Sequence, residues 1–212
     1  MAAVASCGAS SAPAAPTGSA PGELAAVRKV VVLGDSLAVS PSRTLNFPAE
    51  LQERLDAVGL RWSVHNAGIS GDTTAGGVRR LDDALTTDTG VLVLALGAND
   101  GLRGVDIATV EKNLSAIIER AQARGIVVLL CGMETPPMNG WDYTLAFHRL
   151  YPRLAAKYAI ALVPFLLEGV ALNPDMNGQD SIHPNAAGAA RIADTVWPYL
   201  QPLLRTAAVA GV

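Results

Sequence analysis

Ser36 ends the stretch Val30-Val31-Val32-Leu33-Gly34-Asp35, a short β-branched apolar run closed by a turn. A serine hydroxyl attacks a carbonyl only when a base takes its proton, so the histidines decide whether Ser36 can act as a nucleophile. The chain has three. His65 lies in an alternating, strand-like segment with no acid close by, and His148 lies mid-helix beside Arg149; both read as structural. His183 differs, because Asp180 precedes it by three residues and Pro184 follows. At that spacing a carboxylate can hold imidazole Nδ1–H and leave Nε2 for a serine. Pro184 biases His183 towards extended backbone, which projects its ring off the start of the next helix. The competing reading is that Asp180 or Ser181 only caps that helix, as Ser36 could cap the one after it.

An attacking serine also needs donors for the oxyanion that develops on the carbonyl. Gly71, in Gly68-Ile69-Ser70-Gly71-Asp72-Thr73, can offer an unobstructed backbone N–H. Asn99, in Gly97-Ala98-Asn99-Asp100, can offer a side-chain amide, and Ser36 its own N–H. A glycine turn and an Asn-Asp turn would explain the same residues without chemistry.

The elements that must position these groups follow from periodicity. Val30–Leu33, Trp62–His65, Val91–Leu96, Ile126–Cys131 and Ala159–Val163 read as strands. Helices are predicted over Phe47–Val58, Thr73–Leu85, Asp106–Arg124, Trp141–Tyr158 and Asn185–Leu204. The third carries the clearest apolar stripe, Val110, Leu114, Ile117, Ile118 and Ala121, with Gly125 as its cap. Continuous apolar strands alternating with helices imply a parallel sheet covered on both faces. The candidate residues then fall in strand-to-helix loops along its carboxyl edge, where such sheets bind ligands.

Composition narrows the possibilities. Of 212 residues, 17% are charged and half are apolar, with net charge −3, which suits one globular domain. Without a Lys/Arg-rich run, nucleic acid is not an expected partner, and no apolar stretch is long enough for an integral membrane segment. Residues 1–27 are low-complexity Ala, Ser, Pro and Gly and read as a tail or linker; 28–206 form the folded domain and 207–212 a C-terminal tail. The two cysteines, Cys7 and Cys131, are not expected to pair, and no His/Cys cluster has metal spacing. Val4-Ala5-Ser6-Cys7 is similar to a bacterial lipoprotein cleavage site, a reading that requires a longer precursor. A monomer is expected.

Taken in order, Gly-Asp-Ser-Leu at 34–37, Gly-Asp-Thr at 71–73, Gly-x-Asn-Asp at 97–100 and Asp-x-x-His at 180–183 resemble the SGNH branch of the GDSL hydrolases. Ser36, Gly71, Asn99 and His183 match its four lettered residues, and Asp180 its third triad member. The nucleophile-elbow signature Gly-x-Ser-x-Gly is absent at Ser36. Leu33–Leu37, Asn66–Thr73 and Gly97–Gly104 narrow the resemblance to the small bacterial arylesterase/thioesterase/lysophospholipase group. The resemblance implies a three-layer α/β/α sandwich with a central, mainly parallel five-stranded sheet, the flavodoxin-like SGNH hydrolase fold. It also implies no cofactor, a small acyl ester or thioester as substrate, and a periplasmic or secreted setting, with a lipid anchor on Cys7 or a cytoplasmic protein as alternatives. Ala98 departs from members with a second glycine there, and Val39-Ser40-Pro41-Ser42 is particular to this chain and expected to line the site entrance.

The expected chemistry is attack by Ser36 with His183 as base, an acyl-enzyme, then hydrolysis by water that His183 activates. A carbohydrate O-acetylesterase is the nearest alternative, and a non-catalytic binding protein on the same fold is one of another class. A nucleotide-binding protein would want Gly-x-Gly-x-x-Gly after the first strand, which 34–39 does not supply.

Overall fold

The alternating apolar and amphipathic segments form five strands and seven helices in the computed structural model, which describes residues 1–2 and 28–209. The strands are β1 (Arg28–Gly34), β2 (Trp62–Asn66), β3 (Thr89–Ala95), β4 (Val127–Cys131) and β5 (Ala161–Val163). They form one sheet in the order β2-β1-β3-β4-β5, and every neighbouring pair is parallel. The helices are α1 (Ser36–Val39), α2 (Phe47–Ala57), α3 (Thr74–Ala84), α4 (Ala98–Leu102), α5 (Ile107–Ala123), α6 (Trp141–Tyr158) and α7 (Ala186–Val209), with a 3-10 turn at Pro137–Asn139. Helices α2 and α7 pack together on one face, while α3, α5 and α6 cover the other. This is the expected three-layer α/β/α sandwich.

Burial explains the strand sequences. All seven residues of β3 are buried, and Val30–Leu33 of β1 are fully so. A strand with helices on both faces has no polar side, so it reads as a continuous Val/Leu run. Edge strand β2 is only half-buried and alternates accordingly. Its outer backbone is covered by Gln52 of α2, whose side chain accepts from Val64 N at 2.7 Å and donates to Trp62 O at 3.2 Å. That pairing removes edge groups otherwise open to another chain.

Several boundaries differ from expectation. Asp106 caps α5 from outside, accepting from Thr109 N. Ala159 stands in the left-handed region and ends α6, so β5 begins two residues later than its apolar pattern suggests. The final helix continues to Val209, past the expected start of a tail at 207; Ala207 is buried and its carbonyl accepts from Arg28 at the start of β1. Of the 1–27 tail only Met1 and Ala2 are described, and the readings that rest on Cys7 lie outside the described residues. Cys131 is a free, buried thiol, pushed up to about 12 by burial. No helix among the described residues is long and apolar enough to cross a membrane.

Candidate active site

In this strand order the chain leaves β1 towards β2 on one side and returns to β3 on the other, so the crevice between β1 and β3 is a topological switch point. Ser36 comes off β1, Asn99 off β3, and the turn carrying Gly71 off β2. Asp35, not Ser36, caps α1: its Oδ1 accepts from Leu37 N at 3.0 Å. Ser36 is therefore the first helical residue, with its side chain free of capping.

His183 arrives from the opposite end of the chain. Its loop is closed by an antiparallel bridge between Asn177 and Pro184, and by Gly178 N donating to His183 O at 2.8 Å. Ser181 adopts a left-handed φ of 58°, which turns the amides of Ile182 and His183 onto Asp180 Oδ1, both at 3.0 Å. The following helix is capped by Asn185, whose Oδ1 accepts from Gly188 N at 3.0 Å. Capping thus makes no use of Asp180, and its Oδ2 accepts instead from His183 Nδ1 at 2.6 Å. A carboxylate can only accept, so Nδ1 carries the proton and Nε2 presents a lone pair. The Ser36 hydroxyl donates to that nitrogen across 2.9 Å. These hydrogen bonds from His183, side chain first, hold the Asp180 carboxyl well below the usual carboxylate range.

The three expected donors, Ser36, Gly71 and Asn99, follow the ends of β1, β2 and β3. Among the described residues, neither the Ser36 nor the Gly71 amide hydrogen has a protein acceptor. Gly71 has φ +76°, a conformation that suits glycine. Asn99 Nδ2 donates to Asp72 O at 2.9 Å and approaches Asp35 Oδ2 at 3.4 Å. Asn99 sits in the first turn of α4, a segment expected to be a loop. Its entry residue Gly97 has φ +121°, and Tyr151 Oη fills the space a Cβ would need. His148 pairs instead with Glu134, its Nδ1 2.6 Å from Oε1, and His65 is exposed on β2.

Three further residues, none among the five candidates, shape the site. Asp35 is fully buried, and loss of solvation pushes its carboxyl up to about 6 against hydrogen bonds from Leu37 and Asn99. Asp100, also buried, accepts from Thr74 N at 2.9 Å and Thr74 Oγ1 at 2.7 Å, joining the starts of α3 and α4. Arg80 of α3 donates to Asp72 Oδ2 at 2.7 Å and to Gly34 O at 2.8 Å. The expected entrance stretch borders a groove of about 670 Å³ lined by Val39, Ser42, Arg43, Asn66, Ile69 and Ser70. No group of three or more His, Cys, Asp or Glu side chains is placed to hold a metal among the described residues.

Comparison with known proteins gives the family and the fold. Residues 32–191 match the GDSL-like Lipase/Acylhydrolase family. The chain belongs to this family. The GDSL match is supported by Esterase TesA of Pseudomonas aeruginosa, 44% identical over 183 residues, covering 85% of this chain and 91% of that protein. Thioesterase 1/protease 1/lysophospholipase L1 of Escherichia coli is 37% identical, covering 85% and 86%. The crystal structure of TesA superposes with a TM-score of 0.78 at 42% identity, covering 83% of this chain and 99% of that one. With GDSL membership and these relatives, the protein is a carboxylic ester hydrolase of the serine esterase type.

Proposed function

We propose that the protein hydrolyses short- to medium-chain acyl esters and thioesters, aryl esters and lysophospholipids among them, through an acyl-enzyme on Ser36. The observation that carries this reading is the continuous relay from Asp180 Oδ2 to His183 Nδ1 at 2.6 Å and from His183 Nε2 to Ser36 Oγ at 2.9 Å. His183 Nε2 takes the hydroxyl proton as Oγ bonds to the acyl carbon, and Asp180 stabilises the imidazolium that forms. The Ser36 and Gly71 amides, without an acceptor among the described residues, receive the oxyanion. Asn99 contributes the N–H that makes only the long approach to Asp35, while its other N–H stays on Asp72 O. His183 then protonates the leaving alcohol or thiol, and the same nitrogen activates the water that releases the acid.

The names of the relatives support ester and thioester substrates for this chain. We infer the same periplasmic or secreted setting that the sequence resemblance implies, and the mass of Cys7 in native cells tests the anchored form. The substrate reading is tested with aryl esters of graded chain length, acyl thioesters, a lysophospholipid and acetylated sugars, assayed on wild type and Ser36→Ala together. Turnover of the acyl series that vanishes in Ser36→Ala is the expected result. Preference for acetylated sugars would replace the substrate class, and activity retained by Ser36→Ala would overturn the mechanism.

A further inference from the structure

We propose that Arg80 is a positioning residue for the esterase reaction, tying the ends of β1 and β2 to the Asp72 turn so that the oxyanion donors keep their place around Ser36. The inference rests on the proposed reading of Ser36, Gly71 and Asn99 as the reacting set.

The guanidinium reaches acceptors on three separate segments. Nη2 donates to Gly34 O at 2.8 Å, two residues before Ser36, and Nη1 donates to Ala67 O, just past β2. Nε donates to Asp72 Oδ2 at 2.7 Å, next to Gly71. Asp72 is held from its other side as well, since its carbonyl accepts from Asn99 Nδ2 at 2.9 Å. One side chain therefore fixes the nucleophile's strand end, the exit of β2, and the residue that links Gly71 to Asn99.

The surroundings preserve this geometry. The side chains of Arg80 and Asp72 are only 17% and 11% exposed, so the pair is shielded from solvent and salt. Gly76, one turn before Arg80, leaves room for the acid, because a Cβ there would overlap Asp72 Oδ1 at 1.6 Å. Helix α3 has its own apolar anchor in buried Leu81 and Ala84. All three acceptors instead lie within a few residues of the reacting groups. A planar fork suits three divergent acceptors, and a lysine ammonium cannot reproduce it. Neighbouring Arg79 is exposed and makes no ion pair among the described residues, which makes it a matched control.

The test compares Arg80→Lys, Arg80→Ala and Arg79→Lys with wild type. It reads kcat and KM on an aryl ester, the rate of Ser36 labelling by a fluorophosphonate, and the unfolding midpoint, with kinetics run well below it. In Arg80→Lys, kcat and labelling rate should fall together by about 10- to 100-fold with KM little changed, the size expected when reacting groups are misplaced by a fraction of an ångström to an ångström. Arg79→Lys should match wild type. Guanidinium ion at low, non-denaturing concentration should restore part of kcat to Arg80→Ala and none to Arg80→Lys. A folded Arg80→Lys with wild-type kcat, or one that changes KM alone, overturns the proposal. Arg80→Lys carries the test if Arg80→Ala does not fold. Absence of labelling in wild type would instead overturn the assignment of Ser36, an outcome distinct from equal labelling of wild type and Arg80→Lys.

Discussion

His183 Nε2 lies 2.9 Å from Ser36 Oγ although 147 positions separate the two residues. The sheet brings them together, since one leaves the end of β1 and the other stands before the helix that closes the chain. On the proposed mechanism, Ser36→Ala and His183→Ala should each lower kcat by several orders of magnitude with the fold intact. Asp180→Asn should cost less than His183→Ala, because two backbone amides still orient that loop. Steady-state kinetics with a circular-dichroism check on folding will show the order; an Asp180→Asn loss equal to that of His183→Ala would mean that Asp180 does more than orient.

Burial of Asp35 makes stability depend on pH. Its carboxyl titrates near 6 in the folded protein against an ordinary 3.8. The folded state therefore binds the proton more tightly, and this group's contribution declines as pH rises from about 4 to about 6, staying unfavourable above. The difference corresponds to roughly 2–3 kcal/mol. Asp35→Asn cannot ionise, so its stability relative to wild type should improve by about that amount between pH 4 and pH 7.5. Urea denaturation of both proteins across this range measures the gap; a pH-independent gap would contradict the assignment.

Gly71→Ala tests the donor turn. A left-handed alanine costs about 1–2 kcal/mol, and relief of that strain would move the Gly71 amide. A kcat loss on the order of 100-fold is expected beside that modest loss of stability, and both are measurable on one preparation.

Thr74 links two site helices through Asp100. Thr74→Val keeps the shape but removes the hydroxyl that donates to the buried carboxylate at 2.7 Å. A hydrogen bond to a charged group contributes about 1.5–3 kcal/mol, so the unfolding free energy should fall by that amount. An unchanged midpoint would mean that Asn113, which donates to Thr74 Oγ1 at 3.1 Å, takes over the carboxylate.

Local pattern determined the sheet and much of the helix set, because burial on both faces demands continuous apolar runs and helix packing demands a stripe. It also marked Ser36, Gly71, Asn99, Asp180 and His183 as candidates, since each block has a chemistry and the order of the blocks matches a family. It left open whether Asp180 would cap a helix or face a histidine. The structure decided that by giving the cap to Asn185 and turning the chain at Ser181. Arg80 carried no local signal, and Asp35 and Asp100, although letters of the matched blocks, gave no sign of their burial, because a charged residue on a helix or in a turn looks solvent-facing until the packed loops bury it. Their partners lie on other segments, and only the parallel order β2-β1-β3 brings those segments within hydrogen-bond reach. Residue types in one chain can state which chemistry is available; distances between groups far apart in sequence are set by how the sheet closes.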